Sequence, residues 1–380
     1  MGIRTVLAGL AVAVTGATMM ACGPAGSSGG GLGEEGDPIN LTIGYQPYYT
    51  AAFSGVVMNE KEFWKKHLPE GSTVTFQSGL QGSIITSQML AGKQQIGYAG
   101  DMPSITATTK REIRDIRIVG TLGLSHDQCH TMVVRKDAPD FSSQEEAIKW
   151  MDGKRVASPQ GSCSDRFAQE SFKQLKVKPG SYLNQSFEVI LSSFQSGKLD
   201  AASIWEPPAA KLVEEGLARR VATGNLNDLR TSAFVLMSKE LIDKRPDVVE
   251  GWLKAELEAQ QFYADPKNAM EVARMAVAQT SGYSSREMWN SFRKDWPLDQ
   301  GGHPEDIRLE LPFTPKDPKV QRLLSREAVF LAEIKAIGEA PPADAVDSSF
   351  ADKVLKDAGA RTAGTIRSVP ASEFRGEGGT

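Results

Sequence analysis

Four short segments carry residues that can hold a small anion without a metal ion. They are Gln46-Pro47-Tyr48-Tyr49, Ser78-Gly79-Leu80-Gln81-Gly82-Ser83, Gly100-Asp101-Met102-Pro103-Ser104 and Pro159-Gln160-Gly161-Ser162-Cys163-Ser164. Each follows a strand-like stretch, and the last three open a helical pattern. A helix start presents unpaired N–H groups and the positive end of the helix dipole, which suit an anion. Gly82 and Gly161 let the backbone approach a ligand, while Ser83 and Ser162 add hydroxyl donors. Taken alone, either serine reads as a helix cap. The binding case rests on several such segments converging on one cleft.

Other chemistries find no footing. There is no GxGxxG and no GxxxxGK[ST], so no nucleotide fingerprint. Gly161-Ser162-Cys163-Ser164 is not the GxSxG elbow of a serine hydrolase. With three Cys and four His, a multi-cysteine zinc framework is excluded on counting, and no metal or other cofactor is expected. The net charge of −4, from 43 basic and 47 acidic residues, lacks the basic excess of a nucleic-acid binder. The reading is of a binding protein, not an enzyme.

Alternating strands and helices must position those loops. Strand patterns fall at 41–45, 73–76, 95–98 and 117–121, with helical spacing between them. The rhythm restarts at 131–135 and continues through 155–158, an extended 188–190 and 201–205. Repeating β-α units predict a mostly parallel α/β sheet in each of two blocks. In such sheets ligands bind beyond the carboxyl ends of the strands, where these loops lie. After 232–237 the pattern becomes all-helical, and the last twenty residues read as disordered. The chain of 380 residues is long enough for two domains with full cores.

The N-terminus reads as an export signal: Arg4, then an apolar run over 6–14, too short to span a bilayer. Ala21 before Cys22 resembles the lipobox of bacterial lipoproteins, with Met19 where Leu is usual. On that reading residues 1–21 are removed, Cys22 carries the lipid, and 22–37 is a flexible tether. The other reading is a plain signal peptide cleaved near Ala21.

The strand-end loops also carry a family resemblance. The blocks Ile43-Gly44-Tyr45-Gln46, Ser78-Gly79, Ile96-Gly97-Tyr98-Ala99-Gly100-Asp101-Met102-Pro103, Val133-Val134-Arg135-Lys136-Asp137, Gly153-Lys154-Arg155-Val156-Ala157, Phe194-Gln195-Ser196-Gly197-Lys198-Leu199-Asp200-Ala201 and Trp205-Glu206-Pro207 come in order. They resemble the solute-binding proteins of nitrate/sulfonate/taurine ABC importers over about residues 40–265. The resemblance implies an α/β, two-lobed periplasmic-binding-protein (type II clamshell) fold with a helical C-terminal extension. Lobe 1 would be 38–127 with 224–338, lobe 2 would be 128–223, and 339–380 a partly disordered extension. It implies a monomeric, lipid-anchored, exported protein that hands a small organic anion to an ABC permease. A ligand sensor, a pyrimidine-precursor binder and a nitrate or bicarbonate binder are the alternatives.

The ligand site is expected to draw on Gln46, Tyr48, Ser78, Gly79, Gln81, Ser83, Asp101, Met102, Gly161, Ser162, Trp205 and Glu206, and on Cys129, His130 and Cys163, where the chain departs from the family. Asp101 can meet an ammonium group or cap its helix. Trp205 can wall the ligand or serve as a core hinge residue, and Glu206 reads as a hinge hydrogen-bonding group. Arg166 is the one cation near these loops. Ser125-His126-Asp127-Gln128-Cys129-His130 departs from the family's bland crossover. Cys129 and Cys163 can approach one gap, as a disulfide, as unpaired thiols, or with His130 around a soft metal.

Overall fold

The computed structural model describes residues 31–376. Cys22, the signal segment 1–21 and the start of the expected tether lie outside them. A compact unit begins at Leu32 and holds all the elements below.

The first run is β1 (Asn40–Tyr45), α1 (Phe53–Lys61), β2 (Thr73–Ser78), α2 (Gly82–Leu90), β3 (Ile96–Gly100), α3 (Asp101–Thr108) and β4 (Ile116–Ser125). Residues 126–130 then cross to β5 (Thr131–Arg135), α4 (Gln144–Trp150), β6 (Arg155–Ser158), α5 (Cys163–Leu175), β7 (Ser181–Asn184), α6 (Phe187–Gln195), β8 (Ala201–Ile204), α7 (Pro208–Glu214) and β9 (Ala218–Thr223). Residues 224–230 cross back to β10 (Thr231–Ser238), α8 (Lys239–Lys244), α9 (Pro246–Ala264), α10 (Ala269–Ala278), α11 (Ser285–Arg293), β11 (Ile307–Leu311), α12 (Pro318–Glu333), α13 (Ser349–Asp357) and β12 (Gly364–Arg367).

Two sheets result, in the orders β12-β11-β4-β10-β3-β1-β2 and β7-β6-β8-β5-β9. Neither is mostly parallel, contrary to the expectation from the β-α rhythm. In the first, β1 pairs in parallel with β2 and β3, but β10 inserts antiparallel between β3 and β4. In the second, β5 runs antiparallel to both β8 and β9. The cause is the double crossover: a strand that enters from the other sheet arrives in the opposite direction. The two crossovers touch where Gly224 N–H donates to His126 C=O at 2.9 Å.

Three further expectations are corrected. The extended reading of 188–190 came from Val189 and Ile190, which favour strands locally. The chain is helical there because Phe187, Ile190 and Phe194 share a face and are all buried. The stretch after 237 is not all-helical, since β11 and β12 pair with each other and β11 pairs with β4. The last twenty residues therefore include an ordered edge strand, whose Ile366 is fully buried. The end of the expected tether is also held down. The buried Arg245 guanidinium donates to the Leu32 and Asp37 carbonyls at 2.6 Å each, and Gly36 N–H donates to Asp247 at 3.0 Å.

α9 ties the first sheet to its helical layer. Val248, Val249, Trp252, Leu253 and Leu257 recur at helical spacing and are buried. Trp252 donates its indole N–H to Tyr98 on β3 at 3.0 Å, so the largest ring in this core is also anchored in orientation.

Candidate functional site

Loops from both sheets line one pocket, whose cavity volume is about 70 Å³. From the first sheet come Gln46, Tyr49, Gln81, Gly82, Ser83, Gly100 and Pro103; from the second come Gln160, Gly161, Ser162, Cys163 and Trp205, with Cys129 from the crossover.

α2 opens on the pocket with no side chain capping its end. Ile84 N–H turns back to the Gln81 carbonyl at 3.1 Å, while the Gly82 and Ser83 N–H groups have no partner among the described residues and remain available to an acceptor. The Ser83 hydroxyl makes no hydrogen bond among the described residues, and the residue is exposed. Only glycine suits position 82: a Cβ there would stand 2.6 Å from Pro103 Cγ. α3 starts beside it. Gln46 Oε1 accepts from Gly100 N–H at 3.2 Å, which orients the Gln46 amide and leaves its NH₂ to donate elsewhere.

α5 is built differently. Ser162 is its N-cap: the hydroxyl accepts from Asp165 N–H at 3.3 Å and donates to Pro159 C=O at 2.6 Å. Asp165 in turn accepts from Gly161 N–H at 2.9 Å. Gly161 has φ +75°, the left-handed region that favours glycine. Cys163, the first residue of α5, is joined to Cys129 by a disulfide with Cα atoms 5.9 Å apart. The bond pins the helix start to the crossover and places sulfur on the pocket wall. Trp205 closes the opposite side. It is 5% exposed, meets Phe187 edge-on at 5.9 Å, and donates its indole N–H across to Tyr48 C=O at 3.0 Å.

Of the residues expected at the site, Gln46, Gln81, Ser83, Cys129, Gly161, Ser162, Cys163 and Trp205 line this pocket, and seven do not. Tyr48 stands between Phe187 and Tyr283, where its hydroxyl accepts from Ser281 N–H at 3.2 Å. Ser78 ends β2 on the surface, and Gly79 packs beneath Ile85. Met102 is core. Asp101 is buried and saturated: it accepts from Met102 N–H, Thr231 Oγ1 and Ser232 N–H, each at 2.8 Å. His130 is fully buried against Phe167, with ring centroids 5.4 Å apart. Burial and the nearby Arg166 hold its pKa well below the ordinary value, so the ring is neutral. No group of three or more metal-ligating side chains occurs among the described residues.

Glu206 belongs to a buried charge cluster behind the pocket. The Arg220 guanidinium donates to Glu206 Oε1 and to Asp127 Oδ2, both at 2.8 Å, and Arg308 pairs with Asp127 at 2.9 Å. Glu206 Oε2 accepts from Ala210 N–H at 2.8 Å. Burial alone would raise the Asp127 pKa, but Arg308 and Arg220 outweigh it and hold the carboxyl below its usual range. For Glu206 burial wins over the same two cations, and its pKa is raised. Arg166 is also spoken for, pairing with Glu170 and Glu327 at 2.8 Å each.

Besides Gly82, already read as a close-approach glycine, four lining residues lie outside the expected set: Tyr49, Gly100, Pro103 and Gln160. All sit in the four strand-end loops, so position in the loop was the signal. Tyr49 replaces Tyr48 because its buried ring turns inward, with the hydroxyl 3.3 Å from Thr231 Oγ1.

Comparisons with known proteins agree with this geometry. Residues 185–277 match the NMT1-like family. A taurine-binding periplasmic protein of Escherichia coli is 27% identical over 251 residues, 63% of this chain and 73% of that protein. The chain is similar to taurine-binding and aliphatic-sulfonate-binding periplasmic proteins. Its fold is the two-lobed periplasmic-binding-protein fold. The alkanesulfonate-binding protein of Xanthomonas axonopodis pv. citri, bound to MOPS, superposes with a TM-score of 0.65 at 19% identity, covering 82% of this chain and 99% of that one. A desulfurization enzyme shares the fold at a TM-score of 0.59 and 17% identity, over 84% of this chain and 99% of its own.

Proposed function

We propose that this is an extracytoplasmic solute-binding protein that delivers a small organic anion, sulfonate-like, to the permease of an ABC importer. One observation carries the reading: helix starts from both sheets converge on a single pocket whose unpaired donors are amides, a hydroxyl and backbone N–H groups. Such donors hold sulfonate oxygens by hydrogen bonding, and the dipole end of α2, which has no acidic residue in its first turn, favours the negative charge.

The binding reading fits a pocket whose two cysteines are joined in the disulfide and whose Ser162 hydroxyl caps α5. The relatives' periplasmic location supports export of this chain as well. The Ala21-Cys22 junction supports a lipid anchor and single-chain action at the membrane surface. No described helix is long and apolar enough to cross a membrane.

The reading is tested by following the melting temperature against a set of small anions: alkanesulfonates, nitrate, bicarbonate and carboxylates. A ligand that binds the folded state at one hundred times its Kd stabilises by about 2.7 kcal/mol. Sulfonates should shift the melt, and a set in which only nitrate or bicarbonate does so would replace them as ligands. In cells, Cys22→Ser should move the protein from the membrane to the soluble fraction; an unchanged membrane fraction would remove the anchor.

A further inference from the structure

The charge inventory of the pocket says more about the ligand than its donors do. Among the described residues, no Lys, Arg, Asp or Glu lines it. The nearest carboxylates are all committed. Asp101 holds Thr231 and the Ser232 and Met102 N–H groups. Asp165 holds Gly161 N–H, Tyr182 Oη at 2.6 Å and Gln169 Nε2 at 2.9 Å. Glu206 holds Arg220 and Ala210 N–H. The wall away from the helix starts is apolar: the Cys129–Cys163 disulfide, the Trp205 ring, the Tyr49 ring and Pro103.

We propose that the pocket selects a sulfonate whose remainder is apolar and uncharged, and discriminates against aminosulfonates such as taurine. The inference rests on the sulfonate reading above and deepens it. A negative group is served by the helix starts and neutral donors. A positive group brought into the same space would lose its water and meet no carboxylate. It would also lie near helix ends whose dipoles point their positive poles inward. Two aromatic rings offer a cation only a partial substitute. An alkyl or aryl body, in contrast, gains from contact with sulfur and ring carbon.

The probes are taurine and 1-propanesulfonate, which differ by a methyl in place of the ammonium, titrated calorimetrically at pH 7 into the full chain. Propanesulfonate should bind about tenfold tighter or better, and benzenesulfonate should at least match it. Taurine binding as tightly as propanesulfonate would overturn the proposal, because the ring faces or solvent would then be serving the ammonium. If neither binds while nitrate or a carboxylate does, the sulfonate reading falls and this inference with it. Gln160→Glu supplies a carboxylate at the pocket edge and should narrow or reverse the preference. An unchanged preference in a variant that still binds propanesulfonate would count against charge as its cause.

Discussion

The buried charge cluster between the two sheets, called the hinge for its place beside the crossovers, and the pocket are built in part from adjacent residues of the same loops and carry opposite chemistry. Asp127 lies two residues before Cys129, and Glu206 directly follows Trp205. On the hinge side, Asp127, Glu206, Arg220 and Arg308 are buried and joined by ion pairs through Arg220 and Asp127. On the pocket side the lining is neutral, and several donors have no partner among the described residues. Saturated charge fixes one geometry, because any displacement leaves an ion buried and unpaired. Unsaturated neutral donors hold a ligand more gently. A protein that must release its cargo gains by keeping full charges out of the place where the cargo sits.

The comparison breaks most visibly at Arg220. Arg220→Met would strip two buried carboxylates, Asp127 and Glu206, of their shared partner. Removing one member of such a cluster costs about 3–5 kcal/mol, read as a lower urea midpoint at unchanged slope. Gln160→Met, a polar-to-apolar change on the pocket side, should stay within about 0.5 kcal/mol. Equal effects at the two positions would mean that the hinge charges are not energetically distinct from the pocket.

A pH experiment sharpens the same contrast, because one buried carboxyl lacks any cation. Glu256 on α9 accepts from Tyr98 Oη at 2.6 Å and Gln260 Nε2 at 2.9 Å, both neutral. Burial pushes its pKa up to about 7. A raised carboxyl pKa means that the folded state holds the proton more tightly. Its stabilising effect is complete below the ordinary carboxylate range and is lost as pH rises through about 7. Between pH 5 and pH 8 the wild type should therefore lose stability relative to Glu256→Gln, by on the order of 3 kcal/mol. Asp127, whose pKa is lowered, has the opposite sign. Its contribution is present above the ordinary range and disappears only as pH falls below it. Parallel melting curves for wild type and Glu256→Gln across pH 5–8 would show that the acid is ionised throughout.

The chain's text showed the pocket better than the hinge, and the strands unevenly. Strand-end loops with Gly, Ser and Gln at helix starts are local patterns, so four loops pointed to one site. Which member of a loop turns inward depends on packing, and there Tyr49 displaced Tyr48. The hinge cluster left little trace, since Arg219-Arg220 inside Ala218–Thr223 reads as a polar stretch. Only the distant acceptors Asp127, Glu206 and the Gln300 carbonyl make Arg220 a strand residue that can be buried. β7 and β12 went unseen for a related reason. Each has four residues and lies at a sheet edge, where half-exposed positions weaken the alternation that marks a strand.

The finest division runs through the pocket itself, between its two serines. Ser162 behaves like the hinge in miniature, with its hydroxyl fully engaged by Asp165 N–H and Pro159 C=O. Ser83 faces the same space with its hydroxyl unengaged among the described residues. Ser162→Ala should thus lower the apo stability by about 1 kcal/mol, the value of an N-cap, and leave affinity nearly as it was. Ser83→Ala should leave the apo melt in place. If its hydroxyl meets a sulfonate oxygen, affinity should fall roughly ten- to a hundredfold, as for a hydrogen bond to a charged group worth about 1.5–3 kcal/mol. Calorimetric titration beside an apo melt separates the two outcomes. Should Ser162→Ala weaken binding while the melt stays fixed, the cap opens when ligand arrives and its hydroxyl turns to the anion. The boundary between saturated and unsaturated donors would then move with ligand rather than being set by the fold.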